Sequence, residues 1–220
     1  METHVTDEQQ LETIKKWWQA NGSSIVTGVI LGLAVLFGAK AWFAWRENIA
    51  QQASDIYTAM MSSLQQGDST VTAERAGMLI SDYSGTPYAA LAGLAIARLR
   101  IEEGALEAAQ TQLQWVVDNA DTEYVRTVAR LRLARVKLAL KDADGAEAVL
   151  NGAGAAADTD VMFVELRGDI YSARGDQAQA VAAYRQALSV MAPGYPGSHL
   201  LQLKYDNARA LAGAVPEAGQ

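Results

Sequence analysis

The sequence predicts an all-α protein: a single N-terminal transmembrane helix followed by a helical solenoid. Three observations carry that reading. One uncharged apolar run is framed by tryptophans. The chain beyond it is rich in alanine, with only 4 Pro in 220 residues. Small and bulky residues recur there in three helix-pair units. Ala-rich, Pro-poor sequence favours close-packed helices. The absence of Cys excludes disulfides, thiolate chemistry and Cys-ligated metals. Half of the residues are hydrophobic, yet mean hydropathy is −0.01. Polar residues therefore dilute the apolar ones everywhere except in one place.

That place is the membrane segment, assigned to residues 22–45, after a short leader at 1–21. From Ile25 to Ala39 the chain reads IVTGVILGLAVLFGA, and after Lys40 the stretch AWFAW reaches Trp45. At about 1.5 Å per residue, Ile25 to Trp45 spans roughly 30 Å, one hydrocarbon core. Lys40 lies near one end, where its stem reaches the headgroups. Trp17 and Trp18 precede the run and Trp42 and Trp45 close it, as in an aromatic belt. Gly28 and Gly32 give one GxxxG spacing, a candidate close contact between membrane helices. A buried core helix rarely carries 15 consecutive uncharged residues between tryptophans. A cleaved signal peptide needs a basic start and a small-residue cleavage site, whereas this leader contains four acids and the far boundary is aromatic. Lys15 and Lys16 nearly balance Lys40 and Arg46, so the charge bias favours a cytoplasmic N-terminus only slightly.

The soluble domain is assigned to residues 46–211. Ile49, Ala53, Ile56, Tyr57, Met60 and Leu64 follow amphipathic helical spacing until Gly67-Asp68. A second helix covers about 71–81, and Pro87 opens the next. Three units then superimpose, at about 87–118, 124–151 and 158–190. Their first helices carry Ala97, Ala134 and Gly168, and their second helices carry Ala109, Ala146 and Ala180. Leu113, Leu150 and Tyr184 follow as bulky partners. The steps between units are 37 and 34 residues, and a period of about 34 with this pattern marks tetratricopeptide repeats. The third unit is the clearest, with Gly168, Tyr171, Ala180, Tyr184 and Ala187 in consensus places and Gly175-Asp176 at its turn. Lys137 and Arg100 replace the tyrosine in the second and first units. The stretch NGAGAAADTD after Leu150 reads as a loop. A capping helix at 198–211 closes the solenoid, with Leu200, Leu203 and Leu211 as its apolar stripe and Lys204 and Arg209 on the wet side. Residues 212–220 form a tail.

Chemistry is scarce. Only His4 and His199 are present, and neither sits in a metal-ligating set. Asp142/Asp144 and Asp158/Asp160 fall at turns, where Asp caps helices. Gly152 and Gly154 echo a nucleotide loop, but no strand precedes them. The sequence therefore predicts neither catalytic residues nor a cofactor. From Arg46 onward there are 15 Lys and Arg against 21 Asp and Glu, a balance of −6. Such a domain repels nucleic acid. What remains is protein binding on the concave face formed by the first helices. Its inward positions would be Arg98, Arg135 and Asp169, with Leu94, Leu131 and Glu165 one turn earlier. Tyr195 in the PGYPG loop is a further candidate contact.

The layout resembles the YfgM family over nearly the whole chain. The resemblance rests on IKKWWQANG (Ile14 to Gly22), FAWRENIAQQASDIY (Phe43 to Tyr57) and LLQLKYDNA (Leu200 to Ala208). It implies a single-pass protein of the bacterial inner membrane, N-terminus cytoplasmic and helical domain periplasmic. It implies an ancillary subunit of the SecYEG translocon, partnered by the periplasmic chaperone PpiD, that assists client polypeptides emerging from the translocon. It also implies a link to envelope-stress signalling through RcsB. Two other classes fit the same anchor and solenoid: an envelope scaffold, and a regulatory subunit signalling through its leader.

Overall fold

The computed structural model describes residues 7–154 and 156–214. The first residues of the leader and most of the tail read at 212–220 lie outside them. The described elements are helices, with no strand among the described residues. The chain divides into two units, Met1–Gln52 and Ala53–Gln220.

The first unit belongs to helix α1, Asp7–Gln65. Its apolar run is exposed along its length, including Val35, Phe37 and Phe43, as expected of a helix whose solvent is lipid. One stretch of it is long and apolar enough to cross a membrane. Polar side chains beside that stretch bond to their own backbone. Asn21 donates to the Trp17 carbonyl at 3.0 Å and Thr27 to the Ser23 carbonyl at 2.8 Å. The Trp42 and Trp45 rings lie 5.2 Å apart.

In the second unit, the end of α1 pairs with α2, Ser69–Asp82. Ala53 and Met60 are buried against Ala76, Leu79 and Ala92. Arg75 donates from α2 to the Ala59 carbonyl and the Ser63 hydroxyl at 2.6 and 3.0 Å. The next pair is α3 (Pro87–Glu102) with α4 (Leu106–Asn119), followed by α5 (Glu123–Ala139) with α6 (Ala143–Asn151). The stretch read as a loop after Leu150 contains a one-turn helix, α7 (Ala156–Thr159). Asp158 on it holds Arg167 at 3.0 Å. The last pair is α8 (Val161–Ala173) with α9 (Gln177–Val190), and α10 (Ser198–Ala214) follows.

The repeat positions take the places their spacing requires. Ala97, Ala109, Ala134, Ala146 and Ala180 are fully buried, as are Leu113 and Leu150. Gly168 lies under the Tyr184 ring, which a Cβ there would strike. Asp142 and Asp160 cap their helices, accepting from the Gly145 and Met162 amides at 2.8 Å each. Lys137, in the tyrosine place, bonds Asp142 at 2.9 Å instead. Each turn inside a pair needs one left-handed residue. Gly104 (φ 76) and Gly175 (φ 81) supply it in the first and third units, and Lys141 (φ 65) in the second.

One assignment is reversed. Leu200, Leu203 and Leu211 do not form the buried stripe of α10 but are 56%, 52% and 44% exposed. Leu201 and Ala208 are buried instead, with Tyr205 packed beside them. Lys204 turns inward to two carboxylates of α8. Both stripes obey helical spacing. The buried one places small Ala208 in the contact and gives the inward Lys204 counter-charges.

Three substitutions test this packing by chemical unfolding. Lys141→Gly relieves the left-handed strain and should stabilise by about 1 kcal/mol. Gly168→Ala should destabilise by about 1–3 kcal/mol through overpacking against Tyr184. Gly77→Ala, where a Cβ meets nothing within 4 Å, should instead stabilise by up to about 1 kcal/mol.

Candidate protein-binding face

The first helices α3, α5 and α8 are consecutive neighbours, because each second helix packs between two of them. Their shared side is where the sequence places its candidate contacts. Arg98 on α3 and Arg135 on α5 are exposed and line one groove of about 370 Å³. Ile101, Leu106, Val136 and Ala139 contribute aliphatic surface to it, and Glu102 and Arg132 add charge. Arg98 holds Glu102 at 2.7 Å, four residues on along α3. A second groove of about 420 Å³ lies on the other side of this pair, lined by Met61, Leu64, Gln65, Ser69 and Leu99. The Arg98–Glu102 pair is thus a wall shared by two grooves.

Toward α10 the same face is closed by an ionic cluster. Lys204 reaches Glu165 at 2.6 Å and Asp169 at 2.8 Å. The Tyr184 hydroxyl donates to the other Asp169 oxygen at 2.8 Å. Burial alone would lower the Lys204 pKa, but the hydrogen bonds to Asp169 and Glu165 outweigh it and the net shift is upward. Burial pushes the Tyr184 phenol far above its ordinary range, and the Asp169 charge adds to that. Burial also raises the Tyr195 phenol, helped by the Glu165 and Asp160 charges and opposed by Arg135.

The sequence candidates therefore separate into groups. Arg98 and Arg135 meet across one groove. Glu165 and Asp169 are held by Lys204, and Tyr195 is half-buried in the field of Glu165 and Arg135. Leu131 is only 5% exposed and belongs to the core between α5, α6 and α8. Leu94 packs partly buried against the neighbouring clusters. Gly28 and Gly32 lie in α1, where an added Cβ would meet nothing within 4 Å. The sequence placed Lys204 on the wet side of α10, where it instead turns inward, and did not single out Arg132. The first was hidden by the alternative leucine stripe. The second was visible as a basic residue three before Arg135. Among the described residues, no group of three His, Asp or Glu is placed to hold a metal ion.

The tetratricopeptide repeat-like domain family matches residues 15–210, which hold the apolar run and every helix pair described above. The chain is 32% identical to the ancillary SecYEG translocon subunit of Escherichia coli, over 94% of this chain and 98% of the relative. It is 29% identical to the subunit of the same name in Haemophilus influenzae, over 83% and 89%. With that of Neisseria gonorrhoeae the identity is 27%, over 95% and 100%. The chain belongs to the family of ancillary SecYEG translocon subunits. The family likeness is continuous from the membrane segment through the solenoid.

Removing the ammonium in Lys204→Met leaves two poorly solvated carboxylates side by side and should destabilise the domain by about 1–3 kcal/mol. The pH dependence has a definite sign. Lys204 and Tyr184 both have folded pKa values raised above their ordinary 10.5 and 10.0. Their contribution is therefore complete below those values and is lost as pH rises through the folded ones. Unfolding titrations should show this alkaline loss in the native protein and a smaller one in Lys204→Met.

Proposed function

We propose that the protein is a non-enzymatic adaptor of the bacterial inner membrane that works beside the SecYEG translocon. Its N-terminus lies in the cytoplasm and its solenoid in the periplasm. There the solenoid engages a chaperone such as PpiD and assists polypeptides leaving the translocon. The observation that carries this reading is the full-length likeness to ancillary SecYEG translocon subunits. The architecture supports it: an apolar span in α1 long enough to cross a membrane, and a solenoid face with exposed Arg98 and Arg135 beside aliphatic grooves. Arg98, Arg135, Tyr195 and the Glu165–Asp169 cluster are the proposed partner contacts. Gly28 and Gly32 are the proposed contacts within the membrane. The leader at 1–21 is the proposed cytoplasmic link to RcsB.

Crosslinking in living cells tests the assembly. Ala39 is an exposed site at the end of the apolar run. The Tyr57 ring packs at a tilt against Tyr88, 5.4 Å between centroids, so exposed Thr58 is the better place for a photoreactive residue in the solenoid. Capture of SecY from Ala39 and of a periplasmic chaperone from Thr58 is the expected result. Capture of cytoplasmic proteins from Thr58, or of the protein alone from both sites, overturns it. Deleting residues 2–13 should abolish an RcsB-dependent stress response if the leader carries that link, and an intact response removes it.

A further inference from the structure

The groove between α3 and α5 gathers three arginines, Arg98, Arg132 and Arg135, over one lining. Five other arginines of the solenoid hold carboxylates. Arg100 bonds Glu103, Arg126 and Arg130 share Glu123, Arg167 bonds Asp158, and Arg174 bonds Asp144 and Glu147. Arg132 and Arg135 differ. Among the described residues neither has a hydrogen-bond or ion-pair partner, although acids outnumber bases 25 to 18 in the chain. They stand three apart on one helix, a spacing at which like charges destabilise. The third arginine, Arg98, is held only by Glu102, and both side chains are largely exposed at 68% and 53%. Such a pair contributes little and can exchange its carboxylate for an incoming one. Beneath the three guanidinium groups the lining is aliphatic, including Ile101 and Val136.

We propose that this groove binds an extended acidic–apolar segment of a partner protein. A large apolar side chain of the segment enters between α3 and α5, and flanking carboxylates pair with Arg132, Arg135 and Arg98. The volume, about 370 Å³, falls in the range of small binding clefts. Charge complementarity selects the occupant. A basic segment meets three like charges. A nucleic acid meets a domain of net negative charge and a lining without aromatic platforms. The inference deepens the reading of this face as protein-binding and rests on it, but does not depend on which assembly supplies the segment.

The test uses the full chain in phosphatidylcholine nanodiscs and fluorescence anisotropy with three labelled peptides. One carries Leu and Phe between Asp and Glu residues. The second replaces Leu and Phe by Gly and Ser. The third replaces the acids by Lys. Saturable binding of the first peptide alone, weakened by salt, is expected. Arg132→Glu with Arg135→Glu should lower its affinity at least about tenfold. The milder Arg132→Gln with Arg135→Gln should lower it several-fold with an unchanged melting temperature, which covers any misfolding of the charge-reversed protein. Arg209→Glu, on exposed surface of α10, should bind as the native chain does. Equal binding of all three peptides, equal binding of the first two, or native affinity in the folded glutamine variant would overturn the proposal. So would binding of phosphatidylglycerol vesicles in place of the peptide. No translocon is present, so loss of the SecY crosslink with peptide binding intact would count against the proposed function alone.

Discussion

Two antiparallel helices approach closely only where small side chains face each other. In this solenoid Ala97 and Ala109, Ala134 and Ala146, and Gly168 and Ala180 occupy those places. The bulky partners Leu113, Leu150 and Tyr184 then fill the space beside the contact. Each pair still leaves an apolar side open, and the next first helix covers it. The grooves on the inner face follow from this stacking, because neighbouring first helices are spaced by the second helix between them. If the close approach were lost, the spacing of Arg98 from Arg135 would be lost with it.

The inner face changes character along the solenoid. Near α3 and α5 it is cationic and open, with aliphatic grooves. At α8 it is acidic, and Lys204 of α10 offsets one of its two carboxylate charges. The same ion cluster ties α10, the last helix, to α8. The half-buried position of Tyr195, in the fields of Glu165 and Arg135, puts the loop before α10 at the meeting point of the two regions. A partner reading this face meets a gradient of charge.

Much of this was legible in the sequence because it depends on local spacing. The apolar run, the Pro87 helix start, the Asp caps and the small-residue repeats are each set by residues near one another in the chain. The turns were legible too where glycine marked them, at Gly67 and Gly175. At Lys141 the same left-handed conformation is imposed by the helices on either side, and no glycine announces it. Leu131 was assigned to the inward face by analogy of position, yet it is committed to the core. The short α6 and the inserted α7 change how the second and third units meet.

α10 marks the limit most clearly. Its sequence offers two apolar stripes, Leu200–Leu203–Leu211 and Leu201–Tyr205–Ala208, and periodicity alone does not rank them. By itself the sequence determined the helical class, the membrane segment, the repeat period and the absence of thiol chemistry, since each follows from composition or from contacts within a few turns. The face of α10 that turns inward, the burial of Lys204 between Glu165 and Asp169, and the meeting of Arg98 with Arg132 and Arg135 were decided only by the tertiary structure. Those depend on which residues distant in the chain become neighbours, and the 35 or more residues separating Lys204 from its carboxylates carry no local signal of that pairing.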